Sequence, residues 1–163
     1  LKEITIHPRI GKQMYKGKTD PEGFASCLEL TKHKVIYNGD VTTVEQFNEL
    51  SNRFPEISCW MIGRGVLANP LLAETIKGEP EPSIEVRHKR IKAFHDELCE
   101  CYREKLSGPG HLLGKMKQLW LYLHNSFPGK ERALKKIKKA RNEQQFLEGV
   151  NQMFSVTVEE HSI

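Results

Sequence analysis

The sequence has no apolar run near the ~20 residues that a membrane-spanning helix needs, and no charged-then-apolar leader before its first regular segment. A cytoplasmic, water-soluble chain is expected. Cysteine is sparse. The four present, Cys27, Cys59, Cys99 and Cys101, form neither a disulfide framework nor paired C-x-x-C knuckles, so reduced thiols are expected and no metal site. His95, Cys99 and Cys101 fall near one another on a helical segment, but their spacing does not share one face well. Internal repeats and low-complexity tracts are also missing, apart from one lysine run. With 163 residues and 38% hydrophobic side chains, the chain can bury a core as one ordinary domain or two small ones.

Acidic residues are short in one region only. Between positions 108 and 154 there are nine Lys or Arg against three Asp or Glu, a net +6, whereas the whole chain nets +4. A basic carboxy-terminal half beside a near-neutral amino-terminal half suggests a polyanionic partner for the former.

Alternation of polar and β-branched residues predicts a first strand over residues 3–7, ending in His7. A glycine- and lysine-rich loop over 8–20 follows. Asp20 and Pro21 read as the N-cap and first position of a helix with Phe24, Cys27, Leu28 and Leu30 on its apolar side. A second strand over 34–37 leads into Asn38-Gly39-Asp40. Thr42 or Thr43 then caps a helix bearing Val44, Phe47 and Leu50, stopped by Pro55. The third strand is predicted over 57–62 and the third helix over 66–76, with Pro70 tolerated near its start. Strands alternating with helices at this spacing imply parallel strands joined by helical crossovers.

Beyond a polar, proline-containing linker at 78–83, only helices are predicted: 84–106, one around Leu112 to Leu123, 131–141 and 143–154. The predicted domains are therefore 1–78 and 79–163, the second a bundle of four helices. Trp120 is expected in its core and Tyr122 towards its surface. Arg132, Lys135 or Lys136, and Lys139 recur at helical spacing opposite Leu134 and Ile137, with Lys115 and Lys117 on the preceding helix as extensions. Such a stripe suits a phosphate backbone, which would bind RNA by shape and charge and lose affinity steeply with salt.

In parallel α/β folds the ligand site lies at the carboxyl ends of the strands. His7, Asn38-Gly39-Asp40 and Gly63-Arg64-Gly65 all fall there, one group per strand, and read together as one site. Gly63-Arg64-Gly65, between an apolar strand and a helix start, has the form of a phosphate-binding turn in which glycine backbone approaches an anion and Arg64 adds a charge. Gly63-x-Gly65-x-x-Ala68 also fits the dinucleotide fingerprint, but no further strand with a terminal acid follows one helix later.

More specific is the combination Ile4-Thr-Ile-His-Pro-Arg9, Gln13-Met-Tyr-Lys-Gly17, Val35-Ile-Tyr-Asn-Gly-Asp40 and Trp60-Met-Ile-Gly-Arg-Gly-Val-Leu-Ala-Asn-Pro70, with Gly114-Lys-Met-Lys-Gln-Leu-Trp-Leu-Tyr-Leu123 and Phe127-Pro-Gly129 further on. In order and spacing it resembles the tRNA-dihydrouridine synthase family, from Ile4 to Phe154. The resemblance implies an α/β fold: the last three βα units of a (β/α)8 (TIM) barrel, followed by an all-α helical bundle that docks tRNA. It also implies an FMN flavoprotein that uses NADPH to reduce the C5–C6 double bond of tRNA uridines. Position by position, it makes His7 a flavin contact and Arg9 a residue at the substrate mouth. Asn38, Gly39 and Asp40 fall on the flavin side of the seventh strand, and Gly63 and Arg64 at the FMN phosphate. Barrel phosphate sites lie in general after strands seven and eight, which agrees.

Pro8 stands where the family usually has glycine, and Pro21 where it often has tryptophan. The family's catalytic cysteine and flavin-contacting lysine would lie upstream of Leu1, and none of the four cysteines, in predicted helices or mid-strand, replaces the former. The chain by itself is therefore expected to be inactive, since the general acid that protonates the uracil carbon is missing. The alternative is a non-catalytic RNA-binding module; a flavin barrel acting on a small molecule fits the basic helices less well. Three strands leave open edges, so self-association is expected.

Overall fold

The computed structural model describes residues 1–13 and 16–155. Met14 and Tyr15, part of the motif around Gln13, lie outside the described residues. Two compact units are present, Leu1–Glu79 and Pro80–Ile163.

The first unit is a three-stranded parallel sheet with helical crossovers. Strand β1 (Glu3–Ile6) pairs with β2 (Lys34–Tyr37), which pairs with β3 (Cys59–Trp60), in the spatial order β1-β2-β3. Each strand thus lies beside its predecessor, the singly wound order of consecutive βα units. The register aligns Ile6, Tyr37 and Trp60 in one row. Asn38 N donates to Ile6 O at 3.0 Å and Met61 N to Tyr37 O at 2.8 Å, so the ladder runs a residue past each formal strand end.

Helix α1 (Pro21–Glu29) starts as its sequence dictates: Asp20 Oδ1 accepts from Gly23 N at 2.9 Å, and Pro21 occupies the first turn, where its missing N–H leaves nothing unsatisfied. Both threonines serve the start of α2 (Val44–Arg53). Thr43 Oγ1 accepts from Gln46 N at 3.2 Å, and Gln46 Oε1 accepts from both the N–H and the hydroxyl of Thr42, a reciprocal cap. Both helices lay apolar side chains on the sheet face that carries Val35 and Tyr37. Phe24 packs edge-on against Tyr37 at 4.7 Å and Phe54 at 4.9 Å, and Trp60 lies 5.0 Å from Tyr37. Burying aromatic surface of this extent is the main stabilising term of a unit this small.

Two predicted elements come out differently. The expected strand over 57–62 is reduced to Cys59–Trp60, with one further ladder bond at Met61, because Ile57 N is already bonded to Phe54 O and the chain turns into a helix at Arg64. The expected helix over 66–76 is two short helices, α3 (Arg64–Ala68) and α4 (Leu72–Ile76). Pro70 is the reason: it disfavours helical backbone at the preceding residue, and Asn69 is extended at φ −137°, ψ 96°.

The second unit consists of α5 (Ile84–Lys105), α6 (Pro109–Leu123), α7 (Glu131–Lys139) and α8 (Glu143–Phe154) around one core. Gly108, at φ +86°, makes the break that lets Pro109 start α6. Trp120, Ile91, Leu123, Ile137 and Met153 are fully buried, while Tyr122 is half-buried. Val86, in the first turn of α5, is 47% exposed. Gly149 permits the tight α7–α8 pairing: a Cβ there would meet Ile137 Cγ1 at 2.8 Å and Ile137 N at 3.0 Å. Outside the core, Arg103 joins Glu100 and Glu143, tying α5 to α8.

No helix among the described residues is long and apolar enough to cross a membrane. The outer edges of β1 and β3 have no partner strand among them.

Candidate functional site

Three loops follow the three strands, and the structure joins them through one carboxylate. Asp40, after β2, accepts from Arg9 Nη2 on Oδ2 and from Arg64 Nη2 on Oδ1, the latter at 2.5 Å. Arg9 comes from the loop after β1 and Arg64 from the start of α3. Each carboxylate oxygen thus faces one guanidinium, and the three side chains together carry one positive charge. Arg9 also donates from Nη1 to Lys16 O at 2.8 Å, which fastens the far side of its loop.

Burial within the triad is unequal. The Arg9 side chain is 3% exposed, while Asp40 and Arg64 are about one-third exposed. Taking a guanidinium out of water costs several kcal/mol unless an anion meets it, so Asp40 is the condition for Arg9 being where it is. Arg9, expected at the substrate mouth, is therefore an internal ion partner in this structure and presents no open guanidinium face.

The two glycines beside Arg64 differ. Gly63 is exposed, and a Cβ built there would meet nothing within 4 Å, so its backbone remains approachable. Gly65 is buried, and a Cβ there would come 2.1 Å from Val41 O. Its lack of a side chain serves packing of α3 on the β2–α2 loop, not approach to an anion. Gly39 is similarly constrained, since its Cβ would lie 2.4 Å from the Tyr37 ring. The Tyr37 hydroxyl beneath is buried, and burial pushes its phenol pKa up.

Asn38 is held through its backbone N–H by Ile6 O. His7 stands just beyond β1 and lines, with Ile6, Arg9, Ile10, Gln13 and Asp20 among others, a concavity of about 440 Å³. The structure therefore brings Arg9, Asp40 and Arg64 into contact and sets His7, Asn38, Gly39 and Gly63 at the same end of the sheet. The partly exposed guanidinium of Arg64 and the unobstructed backbone at Gly63 stand at this end of the sheet, a donor set whose chemistry fits a phosphate group.

The second candidate surface is on the helical unit. Arg132, Lys135, Lys136 and Lys139 are exposed and line a concavity of about 490 Å³ with Gln145 and Glu148. Lys115 is exposed on α6. Lys117 departs from its expected role: its Nζ donates to Ala140 O at 2.7 Å, capping the carboxyl end of α7. Lys117 is partly buried, and its ammonium braces the end of α7.

One buried polar residue has no counterpart in the sequence reading beyond the rejected metal cluster. His95 is 2% exposed on the core side of α5, with Nδ1 3.0 Å from Asp96 Oδ1 and Nε2 without a partner among the described residues. Burial among Trp120, Phe146 and Phe154 lowers its pKa, against the opposing pull of Asp96. Its spacing from Ile91 and Cys99, four residues either way, was the available signal that it faces the core. Among the described residues, no group of three or more His, Cys, Asp or Glu could hold a metal ion.

Parallel βα units with charged loops at their carboxyl ends, followed by a helical unit, define a chain of mixed α/β class. Residues 1–158 match the family model Dihydrouridine synthase (Dus), and the chain belongs to that family of oxidoreductases. It is 33% identical over 128 residues to a probable tRNA-dihydrouridine synthase of Rhizobium leguminosarum bv. phaseoli, an alignment covering 77% of this chain and 38% of that protein. It is 36% identical over 76 residues to a tRNA-dihydrouridine(47) synthase NAD(P)(+)-like protein of Arabidopsis thaliana, covering 45% of this chain and 11% of that one. The chain thus spans well under half the length of these relatives.

Proposed function

We propose that this chain supplies the phosphate side of an FMN site and the tRNA-docking helices of a tRNA-dihydrouridine synthase, a cytoplasmic NADPH-dependent enzyme. The observation that carries the reading is the junction of the three strand-end loops at Asp40 and Arg64, within a chain that matches the family along nearly its whole length. The three βα units are read as the last three of a (β/α)8 barrel, whose phosphate sites lie after strands seven and eight.

In this reading Gly63 and Arg64 hold the FMN phosphate, Arg64 by charge and Gly63 by an unobstructed backbone. Asn38, Gly39 and Asp40 line the flavin side of the middle strand, and His7 approaches the flavin from the first. FMN, when bound, supplies the hydride that reduces the C5–C6 double bond of uracil. The proton for the other carbon needs an acid. Cys27, Cys99 and Cys101 lie within helices and Cys59 within β3, so the catalytic cysteine and the flavin-contacting lysine are assigned to the part of the relatives that this chain does not span. The chain alone is expected to bind and not to turn over. Its open strand edges are expected to drive self-association.

Arg132, Lys135, Lys136 and Lys139, with Lys115, dock tRNA through phosphates. Releasing counterions makes such binding fall steeply with salt. The test is paired: flavin fluorescence titrations with FMN and riboflavin, and tRNA binding at several salt concentrations. FMN binding tighter than riboflavin, with a steep salt slope for tRNA, supports the proposal. A chain that binds tRNA but neither flavin supports the second reading, a non-catalytic RNA-binding module, which the exposed basic face of α7 favours on its own.

A further inference from the structure

We infer that Asp40 is a positioning residue: it holds the Arg64 guanidinium in one orientation, and Arg9 is the buried counter-charge that holds Asp40 in place. The inference rests on the reading of Arg64 as a phosphate ligand and adds what makes it one.

Asp40 has two oxygens and two guanidinium partners, one on each. Arg9 cannot move away without carrying a charge through the protein interior, because its side chain is 3% exposed and its other nitrogen, Nη1, donates to Lys16 O. The carboxylate is therefore clamped from the inside. Its second oxygen is left to face Arg64, which is 35% exposed and stands at the solvent side of the triad.

The backbone sets the spacing. Gly65 lies against Val41 O, and these residues follow Arg64 and Asp40 directly. A side chain at 65 would push apart the two segments that carry the ion pair. Gly39 lies over Tyr37 in a space that admits no Cβ, which fixes the turn on which Asp40 is displayed. Two glycines and one buried arginine thus serve a single result, a guanidinium presented in a preset orientation. A long, flexible cation otherwise loses rotamer freedom when it captures an anion, and holding it beforehand removes that cost at the moment of binding.

The account assigns Arg9 a different role from Arg64 although both are arginines bound to one carboxylate. Arg9 is buried on the inner side of Asp40, and Arg64 stands partly exposed on its outer side.

The test uses the full chain and three variants, Arg9→Met, Asp40→Ala and the double variant Arg9→Met/Asp40→Ala. The double variant removes the buried arginine charge together with its partner, so loss of fold from an unpaired guanidinium is avoided. Two readouts are taken: the ratio of riboflavin to FMN dissociation constants, and the Arg64 Nε–H resonance in an arginine side-chain NMR spectrum. Fixed positioning predicts one sharp, slowly exchanging Arg64 resonance in the native chain, a broadened one in Arg9→Met, where Asp40 has lost its inner clamp, and an averaged one in Asp40→Ala and in the double variant. It also predicts a preference for FMN reduced about tenfold in the double variant, the factor expected for one charge-assisted hydrogen bond. A double variant that keeps both the sharp resonance and the FMN preference would overturn the inference, as would an averaged resonance in the native chain. A native chain with a sharp Arg64 resonance that depends on Asp40, but no preference for FMN, would sustain the positioning and defeat the phosphate assignment.

Discussion

Gly65 and Val41 meet so closely that the first carbon of any side chain at position 65 would lie 2.1 Å from the Val41 carbonyl oxygen. This contact joins the loop after β2 to the start of α3 and sets the distance at which Asp40 and Arg64 pair.

Replacement of Gly65 by alanine should therefore destabilise the amino-terminal unit by about 1–3 kcal/mol, the usual range for overpacking against atoms that cannot retreat. Gly63→Ala, with nothing within 4 Å of its Cβ, should stay within about 0.5 kcal/mol of the native chain. Urea unfolding of both variants checks this, and equal losses would contradict the distinction drawn between the two glycines.

The aromatic cluster makes a second prediction for the same unit. Phe24 is 1% exposed and packs edge-on against both Tyr37 and Phe54. Phe24→Ala should cost about 3–5 kcal/mol. In a unit with a core this small, that loss should appear in circular dichroism as an amino-terminal half that no longer folds cooperatively.

Lysines on the helical unit should separate by role. Charge reversal of Lys135, Lys136 and Lys139 should abolish most tRNA binding and flatten its dependence on salt, since each phosphate contact contributes to the slope. Lys117→Met should leave the salt slope unchanged and destabilise the chain by about 1 kcal/mol, because its ammonium caps Ala140 O. Binding isotherms at three salt concentrations, with melting curves for both variants, distinguish the two classes.

His95 should make the helical unit sensitive to acid. Burial lowers its folded-state pKa below the ordinary histidine value of about 6.5, so between those two values the unfolded chain binds the proton and the folded chain does not. The histidine's contribution is complete above about pH 6.5 and is lost as the pH falls below it. Urea unfolding between pH 5 and pH 8 should show this decline, and His95→Phe should flatten it. An unchanged pH profile in the variant would place the acid sensitivity elsewhere.

Local chemistry was legible where the deciding interactions are local. Asp20 with Pro21, and Thr43 with Gln46, announce helix starts because the capping partner lies three residues away. Strand β2 and helix α8 follow from the periodicity of their own side chains. The break at Asn69-Pro70 is signalled by the proline itself, which disfavours helical backbone at the residue before it. Other features depend on distant chain and left no mark nearby. A basic residue in a lysine-rich segment gives no sign that, like Lys117, it will cap a helix 23 positions away. Nor does Arg9 show that it will be drawn inside by Asp40, 31 residues on. The role of Gly65 is of the same kind, because a fingerprint glycine and a packing glycine are written identically and only the Val41 carbonyl tells them apart.

The central claim is that Arg64 and its loop hold the phosphate of FMN. It is tested most directly by the ratio of riboflavin to FMN dissociation constants, measured by flavin fluorescence for the native chain and for Arg64→Met. The account predicts that the native chain prefers FMN by about tenfold or more and that Arg64→Met brings the ratio close to one. Equal affinity for the two flavins in the native chain, or a preference for FMN that survives the loss of Arg64, would contradict it.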